Sequence, residues 1–168
     1  MNRFPITLLT LAGLSVGVGL AQTSPITLAL VQELVRTVTV NGKTSEALTP
    51  APKSVVPGDL VRQQLTATNT SDRPINRVVL KLPVPEHATY IAVERSDVPG
   101  EVRTEFSADG GKTFGLAPLK KTVLITENGQ SVHKEVTVPP SEYTTVRWTL
   151  NQLPARAQAT VGFRMRVD

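Results

Sequence analysis

Apolar and polar residues alternate over short runs along most of the chain after its first twenty-five residues. In residues 60–69 the apolar side chains of Val61, Leu65 and Ala67 fall on one face, and polar side chains fall on the other. The end of the chain repeats this pattern, with apolar residues at the odd positions of 159–167. A period of two is typical of β-strands that bury one face. The pattern therefore predicts strands and no amphipathic helix.

Glycine, proline and asparagine recur at short intervals and divide these runs into short segments joined by turns. Asn41-Gly42 is a strong turn dipeptide, and Asn128-Gly129 suits a type I′ hairpin turn. Residues 26–40 are expected to form a strand pair or one long, bent strand, and the polar, proline-containing residues 46–53 a connection. The other predicted strands are residues 60–69, 78–82, 88–93, 102–106, 122–126, 132–138, 144–150 and 157–167.

This series of about eight to ten short strands predicts an all-β fold. An antiparallel β-sandwich accounts for it best, because the strand lengths vary and the proline-rich connection suggests a chain that changes sheets. A closed barrel is the alternative. No internal repeat is present, so one copy of one domain is expected.

The first 21 residues have the layout of a secretory signal peptide. Arg3 supplies a short positive start, residues 6–20 are uncharged and mostly apolar, and small residues precede a cleavage site between Ala21 and Gln22. A retained transmembrane anchor is the alternative, but the apolar run is shorter than the roughly 20 residues that span a bilayer as a helix. We therefore expect export to the periplasm or cell surface, with no membrane span in the mature chain.

Composition narrows the possible functions. The chain has 168 residues, of which 147 follow the leader, enough for one domain with its own core. It contains no cysteine, which excludes a disulfide framework and thiolate metal sites. Lysine and arginine number 18 against 14 acidic residues, but they are scattered, and the densest cluster is Lys120-Lys121. Without a basic helix or interleaved aromatic residues, nucleic acid is not an expected partner.

Several segments carry a resemblance to a known family. Pro57-Gly58-Asp59 opens a strand that ends near Asn69 in a Thr-Asn-Thr-Ser turn, and Val78-Val79-Leu80, Leu82-Pro83 and Ala88-Thr89-Tyr90-Ile91 follow in order. With the C-terminal Trp148 segment, this order resembles the bacterial conserved repeat domain of unknown function found in cell-surface proteins. Two positions depart from that family: Gln63 replaces a usual aromatic residue, and Ser71 replaces a usual glycine.

The resemblance implies an immunoglobulin-like β-sandwich over residues 54–168. Residues 22–53 would then hold the N-terminal strand or strands and the proline-rich connection. The family has no established catalytic residues, so the resemblance implies none here.

The same positions have a physical interpretation from the residues alone. Gly58 and Asp59 suit a tight turn before a strand, and Asn69 tolerates a left-handed backbone and can hydrogen-bond its neighbours. Trp148 is the only tryptophan and is expected to anchor the core between the sheets. Exposed stacking of Trp148 on a ligand is the alternative.

Candidate chemistry is sparse. His87 and His133 are the only histidines and have no metal-ligand spacing, so no zinc or copper site, cofactor or catalytic residue is predicted. Asp109, in the sequence Ser107-Ala108-Asp109-Gly110-Gly111-Lys112, could contribute to a calcium site, but a glycine-containing hairpin turn is the simpler interpretation.

These observations favour an exported, non-catalytic structural or interaction protein of the bacterial cell envelope. It would be an accessory subunit that docks on a larger assembly of envelope proteins through a strand edge or a sheet face. The apolar residues 26–40 are a candidate docking element, or an ordinary first strand. A periplasmic or secreted module that binds a glycan or another small ligand is the alternative, and an enzyme or metalloprotein is a third hypothesis.

Overall fold

The computed structural model of the chain describes residues 24–127 and 130–168. These residues form an all-β fold, as predicted, without an α-helix in the described ranges; one 3-10 turn lies at Pro140–Glu142. The ten strands are β1 (Ile26–Val40), β2 (Lys43–Pro50), β3 (Leu60–Asn69), β4 (Ile75–Pro83), β5 (Ala88–Val93), β6 (Val102–Ser107), β7 (Lys120–Glu127), β8 (Gln130–Thr137), β9 (Thr145–Leu153) and β10 (Gln158–Val167).

The strands form three antiparallel sheets. The larger sheet has the order β2-β1-β3-β10-β5, and the smaller one has the order β4-β9-β6. The strands β7 and β8 form a separate two-stranded hairpin whose side chains are mostly exposed. The larger and smaller sheets share one hydrophobic core, so together they form a β-sandwich.

The core follows from the alternation that the sequence displays. In β3 every second residue from Val61 to Asn69 is buried, and in β9 and β10 the inward side chains include Trp148 and Phe163, both fully buried. Removing a large apolar side chain from water contributes about 1.5–3 kcal/mol, so this inner layer supplies most of the drive for packing the two sheets together.

The first two strands decide between the two predictions for residues 26–40 and correct the prediction for residues 46–53. Residues 26–40 are a single strand, and the turn at Asn41-Gly42 has the positive φ values, +51° and +74°, of a type I′ hairpin. The prediction that residues 46–53 form a connection was wrong, because residues 43–50 form β2 and pair with β1. Polar residues suit this strand because it is an exposed edge, and Pro50 is tolerated because it is the last residue of the ladder.

Two predictions concern residues outside the described ranges. The leader with its cleavage site at Ala21 and Gln22 lies before residue 24, and the Asn128-Gly129 turn lies between β7 and β8. Within the described ranges, no helix has the length and apolar character needed to cross a membrane.

Candidate docking surface

Two leucines of β1 face the interior side of the larger sheet but are not covered. In the register of β1 with β3, Leu28 lies beside Ala67 and Leu30 beside Leu65. The β3 residues are buried, whereas Leu28 is 60% and Leu30 is 52% exposed. We call Leu28, Leu30 and the adjacent Gln32, which is also exposed and shares their face, the uncovered strip.

The uncovered strip exists because the two sheets differ in size. The Tyr90 ring of β5 lies 5.6 Å from the Phe106 ring of β6, centroid to centroid, so β6 faces β5 across the sandwich. The order β4-β9-β6 then places β4 on the side of β3 and β1. The three strands of the smaller sheet therefore lie over β3, β10 and β5 of the larger sheet, and β1 lies beyond the edge of the smaller sheet.

An open cavity of about 430 Å³ lies at the Gln32 end of the strip. Gln32, Lys53, Pro85 and His87 contribute to its wall, and Val61 and Met165 of the larger sheet contribute apolar side chains. The residues after β4 therefore lie close to β1 at this end, which is consistent with β4 running beside the strip.

Exposed basic side chains lie on the elements around the strip, and one acidic residue, Glu86, lines the same cavity as Lys53. Arg36 shares the inner face of β1, Lys53 lies at the cavity, and Arg73 and Arg77 lie in the turn before β4 and in β4 itself. All four are exposed, and none forms an ion pair within 4.0 Å among the described residues. An unmatched positive rim favours an acidic partner.

The opposite face of the same sheet has matched charges. Arg62 contacts Glu33 and Glu94, and Arg164 contacts Glu94 and Glu46. The hydrogen bonds that Arg164 donates to the Glu46 and Glu94 carboxylates hold the pKa of Arg164 above its usual range, and the bond to Glu46 lowers the pKa of that carboxyl. Most charges of this face are thus paired, although Arg166 at the end of β10 is exposed and forms no ion pair within 4.0 Å among the described residues.

The loop at Asp109 uses its carboxylate internally. The two oxygens accept hydrogen bonds from the Ser107 hydroxyl at 2.6 Å, the Thr113 hydroxyl at 2.6 Å and the backbone N–H groups of Lys112 and Thr113. The Ser107 and Thr113 bonds hold the pKa of Asp109 well below its usual range. These neighbours are donors, whereas calcium requires a shell of oxygen acceptors, so the geometry favours the turn.

The two histidines lie on different elements of the fold. His87 precedes β5 with a positive φ of +61°, and His133 lies on the exposed hairpin strand β8. Within the described ranges, no three His, Cys, Asp or Glu side chains are grouped so that they could hold a metal ion.

The Pro57-Gly58-Asp59 segment forms a tight turn that joins β3 to the last strand. The Asp59 N–H bonds the Val56 carbonyl, and Gly58 has the φ of +91° that the third position of a type II turn requires. The Gly58 N–H also donates to the Val167 carbonyl at 2.8 Å. This turn holds both chain segments at the cavity end of the sandwich.

Asn69 positions two turns at the end of the sandwich opposite the cavity. It is fully buried and has no positive φ, so its side chain rather than its backbone explains its place. Its amide nitrogen donates to the carbonyls of Arg73, Leu153 and Pro154, and its oxygen accepts from both the N–H and the hydroxyl of Ser71. Asn69 thereby ties the turn before β4 to the turn before β10.

The aromatic residues are mostly inside the sandwich. Tyr90 contacts three other rings of the core, and burial raises the pKa of Tyr90 to about 12, with a further contribution from Tyr143. Phe114 lies on the outer face of the smaller sheet, with the guanidinium of Arg147 4.1 Å from its ring centroid. Trp148 is fully buried, so its indole is not presented to a surface ligand.

No protein-family model, curated protein or solved structure matches this chain. The uncovered strip is therefore assigned from the geometry of this molecule. Residues 26–40 are unusually apolar in the sequence, but the sequence does not single out Leu28 and Leu30, because a period-two pattern gives the face of a residue and not what covers that face.

Proposed function

We propose that this chain is an exported, non-catalytic interaction protein of the bacterial cell envelope and serves as an accessory subunit of a larger assembly. The leader and the family resemblance support the location, and the immunoglobulin-like identity of the sandwich is part of the same proposal. The uncovered strip is the observation that carries the interaction role.

Exposure of these leucines is costly in the isolated chain. Full burial of a leucine side chain contributes about 1.5–3 kcal/mol, and Leu28 and Leu30 remain more than half exposed. They are neighbours on one sheet face, next to a terminal strand and a basic rim, rather than scattered surface residues. Contiguous apolar surface edged by polar groups is typical of protein interaction sites.

A glycan-binding role has less support. Sugar-binding surfaces commonly present aromatic rings, but Trp148, Tyr90, Tyr143, Phe106 and Phe163 are all buried. The strip supplies leucines rather than rings, which suits a protein partner better than a sugar.

The proposal is tested in cells that export the full chain. A photoreactive benzoylphenylalanine replaces Leu30, and the matched control replaces Leu124, which is 63% exposed on the hairpin strand β7. We expect the position-30 probe, and not the position-124 probe, to cross-link one envelope protein on irradiation, and the mature chain to begin at Gln22. Retention of the chain in the cytoplasm, or the same cross-links from both positions, would contradict the proposal.

A further inference from the structure

The geometry points to the mode of docking and rests on the function proposed above. We propose that the unpaired edge of β4 accepts an extended segment of the partner protein as an added strand. The alternate apolar side chains of this segment cover Leu28 and Leu30, and its acidic residues lie beside the basic rim. The occupant is thus an apolar–polar alternating, acidic segment of another protein.

The first argument is the space beside β4. β4 is a terminal strand that pairs with β9, and no strand in the described ranges pairs with its other edge. Neighbouring strands lie about 4.8 Å apart and packed sheets about 10 Å apart. A strand added to this edge would therefore lie over β1, with its inward side chains directed at the uncovered strip.

The spacing of the strip matches a strand. Leu28 and Leu30 are two residues apart on one face of β1, which is the interval between inward side chains of an added strand. Within β4, Val78, Leu80 and Leu82 are already buried against the core. An added strand would extend this apolar layer by one row and give the smaller sheet a fourth strand.

The other sheet edges are less suited to this addition. The β2 edge pairs with β1 only from Glu33 onward, so a strand added to β2 would not lie over Leu28 and Leu30. In the smaller sheet, Phe106 of β6 exchanges two backbone hydrogen bonds with Gly115, so that edge is partly occupied. Among the described residues, 26–31 of β1 also have no paired strand on their outer edge, but a strand added there would lie beside Leu28 and Leu30 and not over them. The β5 edge borders an apolar groove of about 450 Å³.

The β5 groove lacks the features that would select a strand with charged residues. Its wall includes Pro118 and Pro140, which have no N–H to donate, and none of its lining residues is charged. The β4 edge instead has Arg77 near its beginning, where a φ of +53° interrupts the regular strand backbone, and Lys53 with Glu86 at the cavity near its far end. Charge complementarity therefore favours the β4 edge for an acidic segment.

Two synthetic peptides provide the probe for the mature chain. Both have the core Val-Thr-Val-Thr-Val, and one is flanked by aspartates and the other by lysines. Amide hydrogen exchange measured by NMR reports which edge is occupied. We expect the aspartate peptide to slow exchange at β4 amides and the lysine peptide to bind more weakly, with a difference that shrinks as salt increases.

Variants of the uncovered strip, compared with a control variant elsewhere, test whether the peptide binds at the strip. Replacing Leu28 and Leu30 with serine should weaken binding of the aspartate peptide about tenfold or more, because two apolar contacts are lost. Leu124→Ser, at an equally exposed site on the hairpin, should leave binding unchanged. Circular dichroism of each variant checks that the fold is retained, as expected for exposed positions.

Several outcomes would overturn the inference. Protection of amides in β5, in β2 or on the free edge of β1 at residues 26–31 instead of β4, no protection of any edge at millimolar peptide, or concentration-dependent dimerisation of the mature chain that buries Leu30 would each do so. The proposed function is judged separately by the cross-linking experiment. If position 30 captures an envelope protein while the β4 amides stay unprotected, the docking role stands and the added strand is rejected.

Discussion

A single buried amide connects two turns of this protein. The Asn69 side chain contacts three carbonyls and one serine residue, and these partners lie on both sides of the sandwich end. Buried polar groups without partners are costly, so each carbonyl that Asn69 satisfies depends on it. Asn69 therefore joins the two turns by hydrogen bonds and not by apolar packing.

We expect Asn69→Ala to lower the free energy of unfolding by about 2–4 kcal/mol, because it leaves buried carbonyls unpaired. Urea denaturation of the two proteins measures the difference. Asn151→Ala, at an exposed position of β9, should change stability by less than about 0.5 kcal/mol. Equal effects of both changes would show that the Asn69 network has no special role.

Gln63 is a polar residue on the wrong face of its strand. It lies on the inner face of β3, beside Phe163 of β10, and is almost fully buried. Its side-chain oxygen has no hydrogen-bond partner among the described residues. An apolar side chain of similar volume would fill the same space without a polar cost.

We therefore expect Gln63→Leu to raise the free energy of unfolding by about 1–3 kcal/mol, because the unpaired oxygen is removed and the volume is kept. Chemical denaturation provides the measurement. Gln64→Leu, which points to the opposite and partly exposed face, is the matched control and should have little effect. A loss of stability in Gln63→Leu would mean that the oxygen is satisfied in solution.

At the scale of elements, strands follow local pattern more closely than connections do. The structure reproduces the predicted β3 and β5, and it places most other strands within a few residues of the prediction. Residues 46–50 were misassigned because proline and polar residues are typical of loops, yet an exposed edge strand tolerates both. The missing information was the partner strand, which the local sequence does not specify.

The loop at Asp109 predicts a definite dependence on pH. Its carboxyl pKa is lowered in the folded state, so the ionised form stabilises the fold above the ordinary value of 3.8. This stabilisation is lost as pH falls from about 4 towards the folded pKa. We expect Asp109→Asn to have a lower Tm than the parent chain at pH 7, and the difference to shrink between pH 4 and pH 2.

Thermal melts followed by circular dichroism at several pH values measure this effect. Asp72→Asn is a suitable control, because Asp72 forms only a surface pair with Arg156 and such pairs contribute little. A difference in Tm for Asp109→Asn that stayed constant from pH 7 to pH 2 would contradict the assigned role of the carboxylate.

At the scale of the whole molecule, the unequal sheets are the defining feature. A five-stranded sheet packs on a three-stranded one, and Leu28 and Leu30 on the inner face of β1 stay exposed. On the outer face Arg62 and Arg164 pair with glutamates, whereas Arg36 on the inner face of β1 has no ion pair within 4.0 Å among the described residues. The difference in sheet size therefore leaves apolar and basic groups exposed beside β1, where both proposals place the partner.

The alternation of side chains was enough to predict the fold class and most strand positions, and the Asn41-Gly42 dipeptide was enough to predict its turn. These features depend on short-range sterics, which residues two or three apart already express. Whether a strand covers Leu30, whether the basic rim is exposed and whether Glu46 contacts Arg164 all depend on which distant strands pair. Because strand pairing sets how many strands each sheet contains, only the assembled sandwich revealed which apolar residues remain uncovered.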